Sequence, residues 1–182
     1  MSGRMRFSNP TLLAATMVAF LGVASGRASA QTAPQASQAP TKNEDGRYVT
    51  ADGTPTYMVG ADGTLDWYTF SGFRRYHAEC HTCHGPDGEG STYAPPLVKA
   101  LQNLSHEEFT NVVVNGKRSV NTAQQQVMPA LGENPNVMCY LDDIYVYLKA
   151  RSDGALPRGR PAKREDKPEA ATKHENTCFG GR

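Results

Sequence analysis

The feature that most constrains this chain is the run Cys80-His81-Thr82-Cys83-His84. Two thiols three positions apart, followed at once by a histidine, form the C-x-x-C-H pattern of covalent haem c attachment. The thiols can add to the two vinyl groups of one porphyrin, and His84 then lies under the iron as proximal ligand. Two other chemistries use the same residue types. A redox Cys-x-x-Cys pair sits at a helix N-terminus, where the macrodipole lowers the thiol pKa; here the pair follows the expected helix. A zinc site built on Cys80, Cys83 and His84 needs a fourth ligand at matching spacing, and none repeats downstream. The motif therefore predicts one covalent haem c. Attachment also lets a domain of only ~100 ordered residues complete its core around the macrocycle.

An iron that only exchanges electrons keeps six ligands, so a soft side chain is expected downstream. Met128 is the candidate: it precedes Pro129 in a polar loop, with Asn121 to Gln126 upstream and Gly132 to Asn134 downstream. Met138 is the rival, but it falls in the first turn of the last expected helix, where methionine more often fills core gaps. A haem with an open sixth position could act on peroxide or bind a diatomic gas; Met128-Pro129 argues against that. His77, His81, His106 and His174 read as surface histidines. Arg74 and Arg75 suit either haem propionates or a partner's acids, which arginine holds bidentately, or a solvated helix face.

At 182 residues the chain has room for one modest domain plus extensions. Residues 1–30 carry Arg4, Arg6 and Arg27 and no acid, then an apolar run from Thr11 to Ala24, and end in Ala28-Ser29-Ala30. This is the pattern of a cleaved secretory signal, too short for the ~20 residues of a membrane span. It implies a periplasmic protein with no span after cleavage. Residues 31–46, rich in Ala, Pro, Gln and Ser, read as a flexible leader. Residues 47–154 form the expected domain, beginning with a small hairpin whose turns are Asp52-Gly53 and Asp62-Gly63. Asp66 caps a helix from Trp67 to the first cysteine, burying Trp67, Phe70, Phe73 and Tyr76 and exposing Tyr68 and Arg75. Ser105 and Glu108 make a capping box for a second helix, with Leu104 stapled to Phe109, and Gly116 stops it. A third begins at Asn134-Pro135 and runs through Val137, Leu141, Ile144, Tyr145 and Leu148 to Gly154. Residues 155–182 form a basic tail, expected to be solvated from 155 to 177. Residues 31–150 carry 8 basic and 13 acidic side chains and residues 151–182 carry 8 and 5. The body is thus acidic, which makes nucleic acid an unsuitable partner; the tail could steer docking or simply be solvated.

Gly72 and Tyr76 stand eight and four residues before Cys80, and Tyr147-Leu148-Lys149 follows in the last helix. In these positions residues 66–150 resemble the small monohaem class I cytochromes c, in which such a glycine and aromatic pack the first helix against the last. The resemblance implies an all-α fold of three to four helices around one covalent haem, with the short N-terminal hairpin and flexible tail added. Ala94-Pro95-Pro96-Leu97 is similar to the family's loop whose proline carbonyl accepts the proximal histidine's Nδ1 proton, which assigns that part to Pro95. The segments Asp66 to Gly72, Arg74 to His77 and Val137 to Tyr145 further resemble the four-cysteine c-type cytochromes of methylotrophs. That resemblance implies a pyrroloquinoline-quinone (PQQ) methanol or alcohol dehydrogenase as electron donor and another cytochrome c or an oxidase as acceptor. With two cysteines taken by haem, an oxidising compartment favours pairing Cys139 with Cys178; an intermolecular bridge through Cys178 is the alternative.

Overall fold

The structure is a computed structural model that describes residues 40–120 and 125–180; the expected signal segment and most of the leader lie outside the described residues. Helix α1 (Trp67–Glu79) opens at Asp66. The Asp66 carboxylate accepts from the Thr69 amide at 2.9 Å, the Thr69 hydroxyl at 2.6 Å and the Met58 amide at 2.9 Å. Trp67, Phe70, Phe73 and Tyr76 are buried as expected, and so is Tyr68. The expected exposure of Tyr68 fails because the N-terminal segment covers that face: the Arg47 guanidinium lies 3.9 Å over its ring, and its hydroxyl donates to Asp45 O at 2.8 Å.

After α1 come α2 (His81–His84), a 3₁₀ turn over Pro86–Gly88, α3 (Leu97–Ala100) and α4 (His106–Asn115). The Ser105/Glu108 capping box is present at the start of α4, and Gly116 (φ 75°) ends it. The third expected helix is two: α5 (Pro135–Met138), capped by Asn134, and α6 (Leu141–Ser152). The chain leaves helical geometry at Tyr140 (φ −133°, ψ 20°). At this break Cys139 bonds to Cys178, and the Tyr140 ring lies under Arg75 at 3.6 Å and beside Phe179 at 6.0 Å. Helices α1 and α6 form the central crossing. A Cβ on Gly72 would lie 1.7 Å from Asp143 O and 2.8 Å from Tyr147 Cβ, so only glycine permits this approach. Tyr147 then packs between Phe73 and Tyr76, at 5.7 and 5.5 Å between ring centroids.

Three departures from the sequence-based expectation are non-local. The leader's last residues join a three-stranded antiparallel sheet of β1 (Thr41–Lys42), β2 (Tyr48–Val49) and β3 (Pro55–Thr56), with Thr41 opposite Val49 and Tyr48 opposite Thr56. The polar loop before Met128 is in part a hairpin: β4 (Lys117–Val120) pairs with β5 (Gln125–Met128), and Lys117 stands opposite Met128. The tail is not a free solvated segment: most of its residues stay exposed, but it is fastened to the body. Leu156 and Ala171 are buried, Leu65 N donates to Lys163 O at 3.2 Å and Glu165 N to Leu65 O at 2.8 Å, and the chain ends in α7 (Glu169–Cys178). Its own composition is too polar to bury, but α1 supplies the apolar surface. Arg164 lies 5.0 Å over Trp67 and Arg160 5.8 Å over Phe70, which is how long cationic side chains cover aromatic faces. The Cys139–Cys178 disulfide, Cα–Cα 5.8 Å, closes this strap. Among the described residues no helix is long and apolar enough to cross a membrane.

Candidate functional site

Where α1 ends and α2 begins, one turn carries the whole motif: Cys83 N and His84 N both donate to Cys80 O, at 3.2 and 3.0 Å. Cys80, Cys83 and His84 line a cavity of about 130 Å³ whose other walls are mostly apolar, from Leu97, Leu104, Phe109, Val113, Val137, Ile144 and Leu148. Neither thiol is in a disulfide. Burial, with Glu79 and Cys83 adding to it, pushes the Cys80 thiol up to about 12. A redox pair requires the reverse shift.

His84 is buried, and its Nδ1–H donates to Pro95 O at 3.2 Å. Burial lowers its pKa, with the Pro95 hydrogen bond acting against that shift. The imidazole is therefore neutral, with Nδ1 occupied and the Nε2 lone pair available to a metal. Met128, half-buried at the end of β5, lines the same cavity. Gly116 admits it: a Cβ there would stand 2.7 Å from Met128 O. Met138 lines a different, polar cavity with Arg47, Asp142, Asp143 and His174. Near the Met128 hairpin Val127 is 58% exposed and Ala130 is exposed, while Ala94 is half-buried.

Three of the four histidines read as surface residues are hydrogen-bonded elsewhere. His77 Nδ1 bonds Phe73 O at 2.8 Å, His106 Nε2 bonds Asp142 at 2.9 Å, and His174 Nε2 bonds Cys139 O at 2.9 Å. Arg75 lies on Tyr140, as described above, and Arg74 is exposed. The loop-fastening parts of two residues escaped sequence reasoning. The Tyr76 hydroxyl donates to Gly85 O at 2.6 Å and accepts from Gly88 N at 3.0 Å, so it fastens the loop after His84 as well as packing α1. Asp87 is buried at φ 58° in that loop. Its signal was Asp87-Gly88 between Gly85 and Gly90, since aspartate tolerates the left-handed region.

A family model described as Cytochrome C oxidase, cbb3-type, subunit III, matches residues 70–148. The chain is 56% identical over 142 residues to cytochrome c-553I of Paracoccus denitrificans, covering 78% of this chain and 63% of that protein's length. It is 40% identical over 100 residues to cytochrome c-555 of Methylococcus capsulatus, covering 54% of this chain and 75% of the relative. The crystal structure of c-type cytochrome XoxG from Methylobacterium extorquens AM1 superposes with a TM-score of 0.70 at 55% identity, over 76% of this chain and 85% of that one. The donor set fits the group these proteins are named for: two unpaired thiols and a neutral imidazole on one turn, facing an apolar cavity. The chain therefore belongs to the c-type cytochromes and carries haem c covalently.

Proposed function

We propose that this cytochrome is a periplasmic single-electron carrier. Cys80 and Cys83 would hold the haem through thioether bonds, His84 and Met128 would offer nitrogen and sulfur to its iron, and Pro95 would keep His84 in its ligating tautomer. Haem c supplies an iron centre that gains and loses single electrons. The chain's own part would be to surround that centre with apolar side chains from α4, α6 and the Met128 hairpin and so exclude water from it. One observation carries the reading: His84, tied through Nδ1 to Pro95 O, lines the same apolar cavity as Met128. No side chain of this protein need make or break a substrate bond, so it is a carrier and not an enzyme. Met128→Ala should abolish the sulfur-to-iron band of the oxidised protein and lower its potential, because thioether ligation raises it. Met138→Ala should leave both intact; the opposite pattern moves the ligand to Met138.

The donor we assign is a PQQ-dependent methanol or alcohol dehydrogenase, on the resemblance carried by residues 66–77 and 137–145; another cytochrome c or an oxidase then accepts the electron. The signal-like residues 1–30 support the periplasmic location. Ala94, Val127 and Ala130 offer apolar contacts for the small, short-lived encounters typical of electron transfer. The test mixes oxidised cytochrome with the dehydrogenase and alcohol under stopped flow. Reduction no faster than that of an unrelated cytochrome c removes this donor and leaves the carrier role standing.

A further inference from the structure

We infer that Asp87 and Arg151 together fasten the C-terminal strap to the loop that leaves His84, which makes the strap part of the support of the haem-binding turn. The inference rests on the reading of His84 as proximal ligand. The loop closes on that histidine: Gly90 N donates to His84 O at 2.7 Å. Inside it Asp87, 5% exposed, has φ 58° and ψ 19°, the one positive φ outside glycine among the described residues. Glycine adopts this conformation at no steric cost, so what aspartate adds is its carboxylate. Oδ1 accepts from the Tyr147 hydroxyl at 3.2 Å and faces His77 Nε2 at 3.6 Å. Oδ2 accepts from the strap's Gly159 N at 3.2 Å and faces Arg158 Nε at 3.5 Å.

Arg151, at the end of α6 and only 7% exposed in its side chain, bridges the same two segments from the other side. Nε donates to Asp87 O at 3.4 Å, Nη2 to Glu89 at 2.8 Å, and Nη1 to Leu156 O where the strap begins. A guanidinium can serve three acceptors in this way, whereas an ammonium is a point charge. Two buried ions of opposite sign thus each touch loop and strap. Buried charges stay in place only while their partners do, so displacing the strap releases the loop, and the coupling is reciprocal.

Amide hydrogen exchange of the holoprotein tests this in Asp87→Gly, Asp87→Asn and Arg151→Met, with Lys163→Ala, whose partner is Asp62, as the control. Gly90 should exchange about tenfold faster or more in Asp87→Gly and Arg151→Met, the scale of a lost charged hydrogen bond. Asp87→Asn should fall between, because its single amide oxygen takes the place of only one of the two carboxylate oxygens and so keeps the bond from Gly159 N or that from the Tyr147 hydroxyl, not both. Leu65 and Glu165, which hold the strap's far end, should speed up in the same variants, and the midpoint potential should shift with Gly90 exchange across the series. Lys163→Ala should leave Gly90 unchanged. Wild-type exchange of Gly90 in Asp87→Gly overturns the inference, since the loop would then need only its backbone and Tyr76. Fast Gly90 with unchanged Leu65 and Glu165 also overturns it. If Asp87→Gly does not mature, Gly90 exchange in Asp87→Asn and Arg151→Met decides between the same two outcomes. A His84→Ala protein that keeps the wild-type spectrum sinks the ligand reading alone and leaves the exchange results standing.

Discussion

Asp143 stands at the α1–α6 crossing with its side chain 4% exposed and its Oδ1 2.8 Å from Arg47 Nη1. Burial lifts its carboxyl to about 6, against the opposing pull of Arg47 and Ser71. The ion pair therefore does not repay the loss of hydration, as is common for buried pairs. A carboxyl whose folded pKa exceeds its unfolded value of 3.8 favours folding most below that value. This advantage is lost as pH rises through about 6. The two-unit shift corresponds to about 3 kcal/mol. Asp143→Asn keeps an acceptor for Arg47 and removes the titration, so the variant should gain on wild type by roughly that amount between about pH 4 and pH 7. Urea unfolding at stepped pH measures it, and a pH-independent difference contradicts it. The pairings of Asp143 and Asp87 were invisible in the sequence because the partners are remote: Arg47 is 96 residues from Asp143 and Gly159 is 72 from Asp87. Asp66 and the Ser105/Glu108 pair were legible because each finds its partner three residues away. The same locality made Cys80, Cys83 and His84 readable, whereas the fastening of their loop by Tyr76 and Asp87 was not.

At the scale of elements, the helices that announced themselves by caps and apolar spacing formed, and the surprises are segments whose stability is borrowed. Helix α7 has ten residues, too few to persist alone in water. Its attachments are Ala171, the His174 bond to Cys139 O, the Phe179 contact with Tyr140, and the disulfide spanning 39 positions. Polar composition read locally gives a solvated tail, because nothing in the tail announces that α1 offers it Trp67 and Phe70. Replacing both Cys139 and Cys178 by alanine should cost up to about 4 kcal/mol on the chain-entropy estimate. Helical ellipticity should fall by about one such helix, and protease cleavage should open within 166–178, while the visible spectrum stays that of wild type. Unchanged stability and cleavage pattern would show that the strap holds without its bridge.

Across the whole molecule the strap's cations are largely used internally. Lys163 meets Asp62, Lys167 meets Glu175, Lys173 meets Glu169, and Arg164 lies over Trp67 and Phe70. The basic tail of the sequence thus serves in part as a cover for α1, and the two sides of the protein are built differently. On the strap side, Trp67, Tyr68, Leu65 and Ala171 are buried by protein alone. On the other side, Phe109, Val113, Val137, Ile144 and Leu148 are buried too but also line the cavity, so a bound cofactor would add to their contacts. Cofactor removal should therefore act unevenly. In a Cys80→Ala, Cys83→Ala protein, which cannot attach haem, the amides of α4 should lose protection by several orders of magnitude, as in a locally unfolded segment. Leu65 and Glu165 should keep most of theirs. Trp67 is the only tryptophan of the chain, and its emission maximum should remain that of a buried indole. Hydrogen exchange and fluorescence of the same sample check both halves. Uniform loss of protection with a red-shifted Trp67 would mean that the strap side, too, depends on the haem.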